Sequence, residues 1–362
     1  MVKRILIYGM TNLKGGVESY IMNVYRNLDY NKIIFDYICD FPEMAYYNEV
    51  LENGSKVYFI PSKRKNLFLH LWNFFKILKK HKEYEVVYFN ILNASAAISM
   101  LPVRLLGRKV ISHSHNSSDI NMKIHNKFQW LLNKLSNEKL ACSYEAGKYM
   151  YLNGYNYTVI NNAINLDKFS FSEKIRDEYR KKFEVQEKKV LLHVARMDKV
   201  KNPLFLIEIL KELVMKDKDY VLFYIGKGNL EEKIKEKVKE SKLQQHVFFL
   251  GEVNNVNDYM QMADVFILPS LFEGMPIVLI EAQACKLPIV MSDNITKEIA
   301  LTKEVAYLSL EENINVWATE INRLIVETNA KRNLINISRI IEGYDIKKLV
   351  ITIQKILCGE NR

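Results

Sequence analysis

Val265-Phe-Ile-Leu-Pro-Ser-Leu-Phe-Glu-Gly-Met-Pro-Ile-Val-Leu-Ile-Glu-Ala282 is the stretch on which the reading of this chain turns. Its opening run, Val265 to Leu268, is short and apolar and ends at Pro269-Ser270, which marks a buried strand feeding straight into a loop. Pro276 suits the first turn of a helix because its missing N–H would be unpaired there anyway. Glu273 is therefore expected in the loop just before a helix, and Glu281 about a turn and a half into it. The two carboxylates frame a helix N-terminus. The backbone from Gly274 through Met275 and Pro276, with the positive end of the macrodipole, can seat a phosphate, while the carboxylates can accept hydrogen bonds from sugar hydroxyls. Acidic residues are common at helix starts for dipole reasons alone. What gives this pair weight is its position, because ligands of open α/β sheets sit at the carboxyl ends of strands.

Working outward, strand and helix patterns alternate along all 362 residues. That alternation implies α/β architecture with parallel sheets covered by helices on both faces. Strands are expected at 3–8, 33–38, 56–60, 85–89, 109–112, 138–142 and 157–160, and then at 189–195, 220–225, 246–250, 264–268, 288–291 and 305–308. Asn161 to about Lys174 is a polar, Asn-rich connection between the two sets. The expectation is two doubly wound, Rossmann-like domains facing across a cleft, 1–165 and 166–343. A closing amphipathic helix, 344–358, is free to return to the first domain.

Composition narrows the class. With 49% hydrophobic and 26% charged residues the chain is an ordinary globular protein. Cys39, Cys142, Cys285 and Cys358 have no paired spacing, so neither a disulfide framework nor a zinc site is suggested, and a reducing cytoplasm fits. No apolar run approaches the length of a membrane span, and no signal peptide is expected before the first strand. Charge is uneven: residues 1–168 hold 22 Lys/Arg against 13 Asp/Glu, whereas 169–362 hold 30 against 29. Its focus is residues 61–82, with seven Lys/Arg and no acid. There Lys63, Arg64, Lys65, Lys76, Lys79 and Lys80 surround Trp72 and a helical stripe of Leu67, Leu71, Phe74, Phe75 and Leu78. Such a helix can lie on an anionic membrane surface, or it can turn its apolar stripe to the core and its basic back to water. Nucleic acid is not indicated, since no recognised binding motif accompanies the charge.

Further polar positions follow other strands. Gly15 and Gly16 in Gly9-Met-Thr-Asn-Leu-Lys-Gly-Gly-Val-Glu18 precede a helix, so backbone can approach a diphosphate closely there. The dinucleotide fingerprint G-x-G-x-x-G is absent, and Gly226-Lys-Gly228 also lacks its third glycine. His113-Ser-His115-Asn116 is expected just past a strand ending at Ser112. Arg196 and Lys201 in Val194-Ala-Arg-Met-Asp-Lys-Val-Lys-Asn-Pro203 can converge to neutralise charge on a departing diphosphate. The one Asp-x-Asp, Asp217-Lys-Asp219, falls in a charged turn and reads as solvated surface.

Together these segments resemble family 4 retaining glycosyltransferases of the GT-B architecture. The resemblance rests on Gly-Gly-Val-Glu18, His115-Asn, Arg196-x4-Lys-Asn-Pro, and Ala263-Asp-x4-Pro-Ser leading to Glu273-x7-Glu281. Ser292-Asp-x-Ile-Thr-Lys-Glu298 with Leu308-Ser-Leu310 further resembles the bacterial capsule and exopolysaccharide branch. The resemblance implies transfer of a hexose-type sugar from a nucleotide diphosphate donor, expected to be UDP-linked, onto a growing, lipid-linked glycan. It assigns Glu273 to donor hydroxyls, Glu281 to the ribose, Arg196 and Lys201 to the pyrophosphate, Gly15 and Gly16 to its closure, and His115 to the transferred sugar. No cofactor and no metal are required, and peripheral attachment to the inner face of the cell membrane is expected. A nucleotide-sugar epimerase or hydrolase of the same architecture, or a non-catalytic donor-binding subunit, are the alternatives. Two departures stand out: Asn161-Asn-Ala-Ile-Asn165 lacks the family's junction glycine, and Lys286 stands where a glycine is expected after the Glu281 helix.

Overall fold

The structure is a computed structural model that describes residues 2–117, 122–273 and 275–360. Strands β1 (Lys3–Tyr8), β2 (Ile33–Cys39), β3 (Val57–Phe59), β4 (Val86–Ile91), β5 (Lys109–Ser114), β6 (Glu138–Ala141) and β7 (Thr158–Val159) form one sheet, ordered β3-β2-β1-β4-β5-β6-β7. Strands β8 (Lys189–Val194), β9 (Tyr220–Ile225), β10 (Val247–Gly251), β11 (Val265–Leu268), β12 (Ile289–Ser292) and β13 (Val305–Leu308) form a second, ordered β10-β9-β8-β11-β12-β13. All neighbouring strands run parallel. Each expected strand is present with ends displaced by at most two residues. The chain divides into two compact units, one running to Ala163 and resuming at Tyr344, the other Ile164–Gly343.

In each unit the strand order reverses once, between β1 and β4 and between β8 and β11. At such a switch point the connecting helices leave to opposite faces and open a crevice at the carboxyl edge. Strand composition follows from burial on both faces, where period-two side chains both meet helices. Along β1, Ile5 and Ile7 pack with Tyr20, Ile21 and Val24 of helix Gly16–Arg26, whereas Leu6 and Tyr8 pack with Phe74 and Leu78 of helix Leu67–Lys80. The closing helix Ile346–Cys358 joins the first of these layers through Ile346, Leu349, Val350, Ile353, Ile356 and Leu357, a helical i, i+3, i+4 stripe. Asp345 caps its start by accepting from Lys347 N at 2.9 Å, and Gly359 ends it at φ 76°.

In the second unit, Asp264 is a structural anchor. Its carboxylate, 2% exposed, accepts from Val190 N at 2.7 Å, from Arg180 Nη1 at 3.2 Å and from Arg176 Nη2. Arg332 closes the ends of two helices by donating to Met260 O (2.6 Å) and Ala263 O (2.5 Å) after Val256–Met262 and to Cys285 O (2.9 Å) after Ile277–Ala284. These carbonyls have no intrahelical partner, which is why a buried guanidinium is tolerated there even though burial pushes it down to about 9.

Both departures from the family pattern have a local account. No residue of 161–165 has positive φ, so the junction needs no glycine; Ala163 and Ile164 are buried and Asn165 caps the next turn by accepting from Asp167 N at 3.1 Å. Lys286, by contrast, stands at φ 55°. Leu287 N donates to Ala282 O and Lys286 N to Gln283 O, both at 2.9 Å, which is the Schellman closure that glycine favours.

Candidate active site

Arg196 follows β8 and Glu273 follows β11, and these strands pair side by side through Val265 with Leu191 and Phe266 with Leu192. Their loops are therefore neighbours at the carboxyl edge, on the two sides of the switch point. Leu271 N donates to Val200 O at 2.7 Å, tying the loops together by backbone. Lys201 Nζ donates to Glu273 Oε1, and Ser270 Oγ donates to the same oxygen at 3.0 Å. Both partners of the ion pair are largely covered, 18% and 13% exposed. A bridge between Glu273 and Ile295 holds the carboxylate's backbone from the third side.

The Arg196-x4-Lys-Asn-Pro segment owes its spacing to backbone requirements. Asn202 adopts φ 53°, a left-handed conformation that asparagine tolerates better than most residues, and Pro203 opens helix Pro203–Lys216 in the position where its missing N–H costs nothing. Asp198 then accepts from Lys201 N at 3.2 Å and pairs with Arg196 Nη2 at 3.2 Å. Arg196 itself is 72% exposed, a cation held at one end and open to a ligand. Gly226 and Gly228 let the next loop pass over this one: a Cβ would lie 2.0 Å from Ala195 O and 2.4 Å from Met197 O. Their role is close packing beneath Arg196. Asp198, Ser270 and these glycines were not assigned from sequence; their signal is contact between segments far apart in the chain.

Pro276 is the N-cap residue of helix Ile277–Ala284, one position before the expected first turn, with Met275 next to it and half-buried. Gly274 lies outside the described residues. Glu281 is the fifth residue of that helix and is partly buried. Loss of water around its carboxyl pushes it up to about 7, opposed by the charge of Lys168. The pair thus has two different environments, a salt-bridged Glu273 and a desolvated Glu281.

In the first unit, helix Gly16–Arg26 begins directly after Gly15. Glu18 folds back over this start: Gly15 N donates to Glu18 Oε2 at 3.1 Å, and Thr11 Oγ1 to Glu18 Oε1 at 2.6 Å. The Gly15 amide is consumed by that carboxylate, which leaves the first helical amides, of Gly16 and Val17, to meet a ligand. A Cβ on Gly15 would lie 2.8 Å from Glu18 Oε2, whereas one on Gly16 would meet nothing within 4 Å.

The histidine segment differs from expectation. β5 runs on to Ser114, so His113 is a buried strand residue rather than a loop group. Its Nδ1 shares a 2.5 Å hydrogen bond with Tyr88 OH, which in turn meets Tyr20 OH at 3.0 Å. Burial and the neighbouring His115 hold it well below the usual histidine range. His115 sits just past the strand with its Nε2 on Asn90 Oδ1 at 2.9 Å. Desolvation pushes it down to about 3, so the ring is neutral at physiological pH. With the proton on Nε2, toward Asn90, Nδ1 is a buried acceptor that has no partner among the described residues.

Asp217 and Asp219 pair with Lys189 at 3.0 Å and Lys188 at 2.7 Å, an ion-paired turn at the surface. Of the stripe read in 61–82, Phe74 and Leu78 are buried, but Leu67 is 45% exposed and the inward position is taken by His70. Lys63 is partly buried, and desolvation lowers its ammonium, whereas Arg64, Lys65, Lys76, Lys79 and Lys80 are exposed with Trp72. Cavities of ≈ 600 and ≈ 420 Å³ open at the amino ends of the strands, beside Lys189 and Asp264 and beside Lys109 and Glu138. Neither touches Arg196, Lys201, Glu273 or Glu281.

Two parallel doubly wound units, with the Lys201–Glu273 and Arg196–Asp198 pairs at the carboxyl edge of the second, are the architecture of the GT-B glycosyltransferases. Residues 14–168 match the model for Glycosyltransferase Family 4, and 175–340 that for Glycosyl transferases group 1. The chain is 31% identical over 365 residues to the putative glycosyltransferase EpsF of Bacillus subtilis (strain 168), covering 96% of this chain and 94% of that one. It is 26% identical over 376 residues to the UDP-Gal:alpha-D-GlcNAc-diphosphoundecaprenol alpha-1,3-galactosyltransferase of Escherichia coli, covering 95% and 94%. Among solved structures, Alr3699/HepE of Anabaena, crystallised with UDP, matches with a TM-score of 0.82 at 16% identity, over 99% of this chain and 100% of that chain. The chain belongs to glycosyltransferase family 4, in its capsule and exopolysaccharide branch.

Proposed function

We propose that this glycosyltransferase moves a hexose-type sugar from a UDP-sugar, with retention and without a metal ion, to a lipid-linked glycan at the inner face of the cell membrane. The observation that carries the reading is the covered Lys201–Glu273 pair at the switch point of the second sheet, beside the N-terminus of the Glu281 helix. A diphosphate there meets Lys201, whose ammonium is held by Glu273, and Arg196, held at one end by Asp198, and preorganised charge of this kind stabilises a leaving group without reorganisation at the moment of reaction. Glu273 accepts hydrogen bonds from donor-sugar hydroxyls and Glu281 from the ribose. Gly16 is assigned to the diphosphate, and Nδ1 of His115, which has no partner among the described residues, to a hydroxyl of the transferred sugar.

The donor base and the acceptor are supported by likeness. The Escherichia coli relative is named for a UDP-sugar donor and a diphosphoundecaprenol-linked acceptor, and the Anabaena structure contains UDP. Retention needs no protein nucleophile if the acceptor attacks on the face the diphosphate leaves, with the diphosphate taking the proton. The test is a thermal-shift screen of UDP, GDP and ADP, followed by turnover with the preferred UDP-sugar and a lipid diphosphate sugar, with and without EDTA. A ligand at a hundred times its dissociation constant stabilises by about 2.7 kcal/mol, so the bases separate readily. Stabilisation by UDP alone and EDTA-insensitive formation of an α-linked product are expected. Preference for another nucleotide, loss of activity in EDTA, or an inverted linkage would each overturn the corresponding clause.

A further inference from the structure

We infer that helices Leu67–Lys80, Ala97–Leu105 and Met122–Leu135 together form a docking face for an anionic lipid surface, built around two lysine-capped tryptophans. The three helices pack side by side on one face of the first sheet, with Ala97–Leu105 in the middle and touching both others. Their inward residues, Phe74 and Leu78, Met100 and Val103, and Leu132, belong to one core layer. Their outward side is unlike an ordinary solvated helix back. Phe68 is 76% exposed, Leu105 77%, Trp130 57% and Trp72 46%, with Leu67, Leu69, Met122 and Ile124 also exposed.

Charge on these segments has one sign. Residues 61–82, 97–108 and 122–135 carry twelve Lys or Arg and no Asp or Glu. None of the twelve takes part in an ion pair among the described residues. A solvated face that only kept the protein soluble would mix signs and omit large apolar groups. An interfacial face needs what is present, aromatic and aliphatic side chains to enter the headgroup boundary and cations to meet its phosphates. The same device recurs on two helices: Lys76 Nζ lies 5.3 Å from the Trp72 ring centroid and Lys134 Nζ 5.0 Å from that of Trp130, each one helical turn on. An amphipathic ring with a cation beside it is the side-chain pair favoured at the level of the headgroups. The second helix and its tryptophan extend the attachment well beyond residues 61–82. The inference rests on the proposed lipid-linked acceptor only in naming the membrane that carries it.

The chain has three tryptophans, and the third, Trp317, is fully buried in the other unit, so fluorescence reports this face selectively. The protein should sediment with mixed phosphatidylcholine–phosphatidylglycerol vesicles and not with phosphatidylcholine alone. Emission should shift to the blue, and brominated phosphatidylglycerol should quench Trp130 in a Trp72→Phe variant and Trp72 in a Trp130→Phe variant. Lys134→Glu and Lys76→Glu should each weaken partitioning at least about fivefold, and moderate salt should weaken it further. Quenching of Trp72 alone would confine attachment to the first helix and overturn the three-helix face. Sedimentation with neither vesicle, or self-association in vesicle-free buffer that the tryptophan variants abolish, would overturn the lipid partner. Stabilisation by UDP is measured on the same variants. If it persists while vesicle binding fails, the transferase reading stands and only the docking face falls.

Discussion

Glu281→Gln should make the protein more stable at neutral pH while removing nucleotide protection. The carboxyl rises from its ordinary 4.5 to about 7 because burial strips its water, with Lys168 only partly compensating. The folded value lies above the unfolded one, so the stability of the protonated form is fully present below 4.5 and is lost as pH rises through about 7. The gap, at 1.36 kcal/mol per pH unit, corresponds to about 3 kcal/mol. Partial exposure of the side chain reduces this to about 1–3 kcal/mol. Glutamine keeps the shape and cannot ionise. In urea unfolding at fixed slope, the variant's advantage should be small at pH 5 and grow by about 1–2 kcal/mol by pH 8. UDP should raise the unfolding midpoint of the native protein more at pH 8 than at pH 6, as the carboxylate forms and accepts ribose hydroxyls. In the variant any remaining pH dependence belongs to the nucleotide's own phosphate. An advantage that does not grow with pH would refute the desolvated carboxyl, and equal UDP protection of both proteins would refute the ribose assignment.

Lys201→Met removes the partner of a largely covered carboxylate and leaves Glu273 with Ser270 alone, so it should cost about 2–4 kcal/mol in urea unfolding. The double variant Lys201→Met/Glu273→Gln should recover part of that loss, and turnover should fall about a hundredfold or more in either single variant. Gly16→Ala adds a methyl with open space around it, so stability should hold or rise by a few tenths of a kcal/mol, while UDP-sugar affinity falls if diphosphate approaches that backbone. Unchanged affinity by calorimetry would remove Gly16 from the donor site. Lys286→Gly relieves a left-handed lysine and should stabilise by about 0.5–1 kcal/mol, less the hydrogen bond from Lys286 Nζ to Asn333 O. A loss of stability would show that this contact outweighs the strain.

The strand endings show where sequence reading stops. Ser112-His-Ser-His115 breaks the apolar run, so the local pattern ends β5 at Ser112. In the fold partners come from outside the segment, Tyr151 OH to Ser112 Oγ at 3.0 Å, Ala146 O to Ser114 Oγ at 2.9 Å and Tyr88 OH to Nδ1 of His113. A polar residue can continue a buried strand when distant side chains pair with it, and no local pattern announces that. Glu18 is a similar case. Its carboxylate reaches back to Gly15 and Thr11, so one of the two glycine amides expected to meet a ligand is already used.

By itself the sequence determined the alternation of thirteen strands with helices, the parallel two-unit architecture, and which residues stand immediately after strands. Those features are written in local periodicity and in the backbone demands of Pro203, Pro276 and the glycines, which neighbours along the chain are enough to impose. Tertiary structure alone decided what those residues touch. Lys201 and Glu273 are 72 residues apart, and only the pairing of β8 with β11 brings their loops together. Glu273 and Glu281 looked alike in sequence, yet one is held by a lysine and a serine while the other is desolvated, because electrostatic environment is set by whatever packs around a carboxyl rather than by its position in the chain.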